Sequence, residues 1–147
     1  MTVIAWDGKT LAADRLHDDS GLARACTKIH KHGDIMVAGA GAARSIQAMR
    51  DWIVGGMDKA KFPSEHLVEE AGYHSPVWVI YRSGTVVKFE NSPYPTVIED
   101  LVFTEGSGRD YALGAMAMGA DAKTAVEVAC RYDIRCGRGI DVLTFDD

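Results

Sequence analysis

The order in which strand-like and helix-like segments follow one another constrains the fold of this chain most. Strand-like apolar runs come in blocks, at Thr2–Trp6, Thr10–Ala13, Lys28–His32 and Asp34–Ala38, within Pro76–Glu90 and Leu101–Glu105, and at Ile140–Phe145. Helical spacing of apolar residues separates these blocks, from Ile46 to Gly55, over 109–119 and over 122–130. Segments grouped in this way favour antiparallel pairing, so the sequence predicts an α+β fold rather than alternating βαβ units.

Short turn signals indicate hairpins within the strand blocks. Asp7-Gly8, Gly33 and Ser83-Gly84 each lie between two strand-like runs, and glycine supplies the positive φ that tight turns need. The polar stretch Arg15–Ala25 is predicted to be a loop. Ser92–Thr96 is predicted to lie outside any ladder, because proline lacks an N–H donor.

A further helix is predicted around Ser64–Ala71, where Ser64 follows Pro63 and can cap the first turn. Two antiparallel sheets flanked by pairs of helices fit the order of elements, which predicts a four-layer αββα sandwich. The 147 residues are 47% apolar, which suits one domain, residues 1–147, with a self-sufficient core.

Charge and composition exclude several classes of function. The formal net charge is −5 with scattered Lys and Arg, so no basic surface for nucleic acid is expected. The longest apolar runs are far shorter than the ~20 residues of a membrane helix, so no membrane partner is expected. The odd number of cysteines, Cys26, Cys130 and Cys136, favours reduced thiols and a cytoplasmic location.

No cofactor or metal site is predicted. The sequence lacks a P-loop, a dinucleotide fingerprint and a nucleophile elbow. Cys26, His30 and His32 are metal-ligand types, but no second group of ligands follows them, and a solvated strand explains the two histidines better. Cys130 fits a helix as a small apolar residue.

Five scattered features remain: Thr2, Asp14, Lys28, the small-residue stretch AGAGAA (residues 38–43) and the stretch GSGRDYA (residues 106–112). Each alone has an ordinary structural explanation, such as a strand start, a loop acid, a surface lysine or a glycine at a helix cap. Their order along the chain favours a site assembled from all of them.

The pattern resembles proteasome β-subunits and the bacterial HslV peptidase, which are N-terminal-nucleophile hydrolases. The matching segments are TVIAWDGKTLAAD, the TKI around Lys28, VAGAGAARS, GSGRDYALGAMAMGADAKTAVEVA and YDIRCGRGIDVLTF, so the resemblance spans essentially the whole chain. The middle of the chain is shorter than in that family, and the resemblance therefore implies a shortened second helix between Gly55 and Ser75.

The resemblance implies a role for six residues. Thr2 matches the nucleophile, whose α-amine becomes the general base once Met1 is removed, and Lys28 and Asp14 match its cationic neighbour and the carboxylate that holds it. Gly41 matches the residue whose backbone N–H forms the oxyanion hole. Ser107 and Asp133 match the pair that orients the amine.

One position departs from the family pattern. Many proteasome subunits carry a serine three residues after the aspartate, and Cys136 stands there in this chain. A thiol is a weaker hydrogen-bond partner than a hydroxyl, so the outer support of the amine is expected to be weaker.

These roles imply a threonine-type endopeptidase that acts on polypeptides and assembles into a homo-oligomeric ring, with an ATP-dependent unfoldase as a partner by analogy. We expect no leader before Thr2 beyond Met1, since Thr2 would be the first residue of the mature chain. Two alternatives stay open at this point: a non-catalytic ring or shell component with the same fold, and a small-molecule amidohydrolase on the same scaffold.

Overall fold

A computed structural model describes residues 1–68 and 74–146 of the chain. Its three α-helices are α1 (Ala43–Val54), α2 (Arg109–Ala117) and α3 (Ala122–Tyr132), and two short 3-10 helices cover Lys59–Lys61 and Ser64–His66. The strands are β1 (Ile4–Trp6), β2 (Leu11–Asp14), β3 (Leu16–Asp19), β4 (Leu22–Ala25), β5 (Ile29–His32), β6 (Ile35–Gly39), β7 (Val77–Tyr81), β8 (Val86–Phe89), β9 (Thr96–Ile98), β10 (Phe103–Glu105) and β11 (Ile140–Leu143). All pairings with a defined register are antiparallel, which confirms the predicted α+β class.

The chain divides into two compact units, one formed by Met1–His30 with Asp100–Asp147 and the other by Lys31–Glu99. The first unit contains a four-stranded sheet in the order β10-β1-β2-β11. Its β1–β2 hairpin is the predicted one, and the Asp7 carboxylate closes the turn by accepting the backbone N–H groups of Lys9 and Thr10 at 2.9 and 2.7 Å.

Small side chains allow α2 and α3 to pack closely in the first unit. The apolar cluster that α2 and α3 form with strands β1 and β2 consists of Val3, Ala5, Ala12, Ala112, Ala122, Ala125, Val126, Ala129 and Cys136. Alanine at most of these positions lets the backbones approach, as the small residues at helical spacing predicted. This packing fixes the chain segment directly before β1, where Thr2 lies.

The prediction of a loop over Arg15–Ala25 is wrong, because β3 and β4 form an antiparallel hairpin there. Its residues are almost all exposed, so the hairpin has no buried face and the sequence shows no apolar alternation. The turn at Ser20-Gly21 has positive φ at both residues, 51° and 90°, which is the geometry that two-residue hairpin turns favour.

The second unit contains strands β6 to β9 of the sheet β5-β6-β7-β8-β9, with α1 packed against these strands. Trp52 of α1 is central to its core, where its ring meets Phe62 and Phe89 edge to face at 5.1 and 5.4 Å between centroids. The predicted turns at Gly33 and Ser83-Gly84 both join paired strands.

Two predictions in the second unit need correction. The helix predicted around Ser64–Ala71 is a single 3-10 turn, Ser64–His66, which ends because Leu67 is extended, with ψ at 128°; residues 69–71 lie outside the described residues. Ser92–Thr96 was predicted to lie outside any strand ladder. Thr96 is nevertheless the first residue of β9 and pairs with Lys88 of β8. Both prolines still precede β9, and this strand lies at the edge of the sheet.

Among residues 1–68 and 74–146, no helix has the length and apolar character needed to cross a membrane.

Candidate active site

Thr2 lies buried, directly before β1, with its backbone hydrogen-bonded to the turn between β10 and α2. Its nitrogen donates to Ser107 Oγ at 3.2 Å. Its carbonyl oxygen accepts from the Gly108 N–H at 3.1 Å and from Ser107 Oγ at 3.3 Å. The start of the chain is therefore fixed by a segment more than a hundred residues away in sequence.

Two glycines make this close approach possible. Gly106 has a φ of +99°, and a Cβ on it would collide with the carbonyl group of Thr2. A Cβ on Gly108 would lie only 2.9 Å from Val3 Cβ. Both glycines that flank Ser107 are thus required by contact with residues 2 and 3, and Gly106 is required by its positive φ as well.

The Lys28 ammonium joins the Thr2 hydroxyl to a buried carboxylate. Lys28 Nζ donates to Asp14 Oδ1 at 2.8 Å and to Thr2 Oγ1 at 3.2 Å. The Asp14 side chain is fully buried and that of Lys28 is 9% exposed. Because the pair is shielded from solvent, the positive charge acts on the hydroxyl with little screening.

Backbone donors hold Asp14 in place at the end of β2. Asp14 Oδ1 also accepts the Val3 N–H at 3.0 Å, and Oδ2 accepts the N–H groups of Leu16 and Gly137 at 3.3 and 3.0 Å. These bonds satisfy both carboxylate oxygens, which a buried charge requires. They also fix the position of the Lys28 ammonium.

Met1 is joined to the Thr2 nitrogen by a peptide bond. The Met1 carbonyl oxygen accepts from Thr2 Oγ1 at 2.7 Å and from Lys28 Nζ at 2.9 Å. With Met1 attached, the Thr2 nitrogen is an amide and cannot accept a proton. Burial, followed by the charge of Lys28, lowers the pKa of the Met1 α-amine below its ordinary value of 8.0.

A second group, Asp133, Arg135 and Cys136, lies on the other side of Ser107. Cys136 Sγ donates to Asp133 Oδ2 at 3.5 Å and lies 3.8 Å from Ser107 Oγ. The thiol therefore lies between the Asp133 carboxylate and the Ser107 hydroxyl. Burial raises the pKa of Cys136 to about 12, so it stays a neutral thiol.

Asp133 is ionised in this arrangement. Burial opposes its charge, but hydrogen bonds, above all from the backbone and side chain of Arg135, outweigh that effect and lower the pKa of Asp133 to about 2. A negative charge thus lies two side chains away from the Thr2 nitrogen, beyond Ser107 and Cys136.

Gly41 belongs to the second unit. Its φ is +120°, and a Cβ on it would lie 2.5 Å from Ser75 Oγ. Ser75 Oγ in turn accepts the Ala42 N–H at 3.0 Å and so holds the turn that follows β6.

The structure thus brings five of the six predicted residues into the first unit: Thr2 contacts Lys28 and Ser107 directly, Asp14 contacts Lys28, and Asp133 follows through Cys136. Sequence reasoning missed the N–H of Gly137, the role of Gly106 and Gly108 in contacting residues 2 and 3, and Arg135. No motif marks Arg135, whereas the glycines could have been noticed from their density around Ser107 and Cys136.

The metal-like residue types Cys26, His30 and His32 do not form a metal site. Among the described residues, no three His, Cys, Asp or Glu side chains are grouped so that they could hold a metal ion.

No protein-family model and no curated protein sequence matches this chain. Solved structures do match it over nearly its full length. Thiobacillus denitrificans BPH is 20% identical, with a TM-score of 0.70 over 97% of this chain and 95% of that one. HslV from Trypanosoma brucei is 18% identical, with a TM-score of 0.66 over 97% and 98%. BPH in complex with epoxomicin is 18% identical, with a TM-score of 0.67 over 99% of both chains.

Identities of this size establish the fold alone. The chain has the proteasome-like N-terminal-nucleophile hydrolase fold of HslV and BPH.

Proposed function

We propose that this protein is a threonine peptidase whose nucleophile is the Thr2 hydroxyl after Met1 has been removed. The observation that carries the proposal is the buried chain of contacts Thr2 Oγ1–Lys28 Nζ–Asp14 Oδ1, at 3.2 and 2.8 Å. A lysine that donates to both a hydroxyl and a buried carboxylate is held as a cation beside the hydroxyl oxygen. Such a cation favours the alkoxide that forms as the hydroxyl loses its proton.

The α-amine of mature Thr2 is the general base in this proposal. An α-amine titrates at about 7.7–8.0, so a useful fraction is unprotonated near neutral pH. As Thr2 Oγ1 attacks the carbonyl carbon of the scissile peptide bond, its proton passes to the amine. The amine returns that proton to the departing nitrogen, the C–N bond breaks, and an ester to Thr2 remains. Water then hydrolyses the ester with the same amine as base, which restores the hydroxyl.

Ser107 and Asp133 orient the amine, and the Gly41 N–H stabilises the oxyanion of the tetrahedral intermediate. The contact between the Thr2 nitrogen and Ser107 Oγ supports the first assignment. The second rests on the resemblance and on the φ of +120° at Gly41, a conformation that favours glycine.

The full-length likeness to HslV and BPH supports the finer parts of this proposal. We infer that residues 1–147 form one four-layer αββα domain with a shortened second helix. We infer further that copies of the chain assemble into a ring that encloses the Thr2 sites, with polypeptides as substrates and an ATP-dependent unfoldase as partner. The three free cysteines support a cytoplasmic location.

Hydrolysis of short fluorogenic peptides by the chain expressed with its native Met1 tests the peptidase function. Turnover should be lost in Thr2→Ala and retained in Thr85→Ala, which removes an exposed threonine hydroxyl from a hairpin turn. If the processed wild-type protein cleaves no peptide, the proposal fails. Cleavage of small-molecule amides alone would then identify an amidohydrolase, and no cleavage at all would indicate a non-catalytic ring component.

A further inference from the structure

The two oxygens of Asp133 have separate sets of partners. Oδ1 accepts both the backbone N–H and the side-chain Nε–H of Arg135, each at 3.0 Å. Oδ2 accepts from Cys136 Sγ at 3.5 Å, and that sulfur lies 3.8 Å from Ser107 Oγ. Arg135 is therefore bound to the oxygen that faces away from the contacts leading to Thr2.

We propose that Arg135 is a positioning residue of the peptidase site. It holds Asp133 by Oδ1 so that Oδ2 stays directed at Cys136 and Ser107, and its cation compensates the charge of Asp133. The inference rests on the proposed function, because it gives Arg135 a part in preparing the general base.

The backbone turn after α3 brings the Arg135 side chain within reach of the Asp133 carboxylate. The Asp133 N–H donates to the Ala129 carbonyl at 2.8 Å at the end of α3, and the Cys136 N–H donates to the Asp133 carbonyl at 3.0 Å. The chain thus turns tightly between Asp133 and Cys136, and Arg135 lies inside that turn. The Arg135 Nε–H and the Arg135 backbone N–H both donate to the carboxylate of Asp133, two residues earlier.

Two donors on Oδ1 decide the orientation of the carboxylate. Partial rotation about the Cβ–Cγ bond of Asp133 that moves Oδ2 away from Cys136 would also stretch both bonds from Arg135. The side chain of Asp133 is only 3% exposed, whereas that of Arg135 is 57% exposed. Arg135→Ala removes the Nε–H donor and keeps the backbone N–H of residue 135, so Oδ2 should be held less firmly toward Cys136 and Ser107.

The charge of Arg135 also acts on the amine at the start of the chain. For the Met1 α-amine, burial and then the charge of Lys28 lower the pKa, and Arg135 also lowers it. Once Met1 is removed, the amine is the Thr2 nitrogen, which contacts Ser107 Oγ, and the Asp133 carboxylate follows through Cys136. Arg135 offsets the negative charge of Asp133, which would otherwise favour the protonated, inactive amine.

The mature variants Arg135→Ala and Arg135→Lys test the inference, with Arg131→Ala as the control. Arg131 is an exposed arginine in the last turn of α3, so its removal changes the net charge by the same amount without touching Asp133. In Arg135→Ala, the acid limb of kcat/KM against pH should move up by about 0.5 pH unit, and less at high salt. Its kcat should fall while KM stays near the wild-type value.

The lysine variant separates charge from orientation. Arg135→Lys should return the acid limb to its wild-type position, because the cation is present, but recover kcat only in part, because an ammonium does not reproduce the planar Nε–H contact. If Arg135→Ala and Arg131→Ala give the same acid limb and the same kcat, the inference is overturned.

A second measurement does not depend on catalysis. Acetylation of the Thr2 amine at limiting reagent, followed by mass spectrometry of the N-terminal peptide across pH, reports the pKa of that amine directly. This pKa should be higher in Arg135→Ala than in the wild type and the control. An unchanged amine pKa refutes the inference even in an active enzyme, whereas a raised amine pKa in a chain that cleaves no peptide refutes the proposed function alone.

Discussion

Asp14 is the residue on which the geometry around Thr2 depends most. Its fully buried carboxylate accepts three backbone N–H groups and the Lys28 ammonium. Because the charge of Asp14 is removed from water, the ammonium compensates for a desolvation cost as well as contacting the Thr2 hydroxyl. The stability of the chain and the proposed reactivity of Thr2 therefore depend on the same pair of residues.

Replacement of Lys28 by alanine should lower the free energy of unfolding by about 3 kcal/mol, because it leaves the Asp14 charge buried without its cation. The matched control is Arg24→Ala, which removes an ion pair to Asp19 whose two side chains are 59% and 48% exposed. That loss should stay below about 1 kcal/mol. Urea unfolding of both variants at one protein concentration measures the difference, and equal losses would contradict a buried, compensating role for Lys28.

At the level of elements, the turn between β10 and α2 places Thr2. Gly106, Ser107 and Gly108 form this turn, and each of them contacts residue 2 or residue 3. The strand and the helix on either side pack into the first unit, so the turn is a rigid support for the start of the chain.

Replacement of Gly106 by alanine should destabilise the protein by several kcal/mol, roughly 3 or more, because the new Cβ collides with the Thr2 carbonyl and the φ of +99° is unfavourable for alanine. Gly114→Ala is the control within α2. No atom lies within 4 Å of a Cβ at Gly114, and alanine is the better helix former by about 1 kcal/mol. Thermal unfolding should therefore show a lower midpoint for Gly106→Ala and a higher one for Gly114→Ala. Similar midpoints would show that the turn can shift away from Thr2.

The elements that were predictable from sequence are those with a buried face. The β1–β2 and β7–β8 hairpins combine apolar runs with Asp-Gly and Ser-Gly turns, and both form as predicted. The β3–β4 hairpin was missed because its strands are exposed on both faces, so only the Ser20-Gly21 turn signals it. The sequence predicted a longer helix than the single 3-10 turn at Ser64–His66, because a capping serine and an apolar face do not determine where a helix ends.

The candidate site was predictable only in part, for a different physical reason. Thr2, Asp14 and Lys28 lie within one short stretch of chain, and their resemblance to a known pattern singled them out. Ser107 meets the Thr2 nitrogen only because β10 pairs with β1, which no local signal encodes. Arg135 belongs to no motif, and its contact with Asp133 follows from the tight turn after α3.

At the level of the whole molecule, Met1 decides whether the cluster around Thr2 has a free α-amine that can act as a general base. The Met1 carbonyl accepts hydrogen bonds from both the Thr2 hydroxyl and Lys28, and Met1 blocks the Thr2 nitrogen as an amide. Threonine is a small residue at the second position, which suits removal of the preceding methionine. In the proposed mechanism, the chain therefore has no general base until Met1 is removed.

The most direct test of this account is the intact mass of the cell-made protein before and after treatment with a peptide epoxyketone, which reacts with a hydroxyl and an amine on the same residue. The account predicts loss of Met1 and one adduct per chain, located on Thr2 and absent from Thr2→Ala. A fully processed chain that acquires no adduct would contradict the claim that Thr2 is an N-terminal nucleophile.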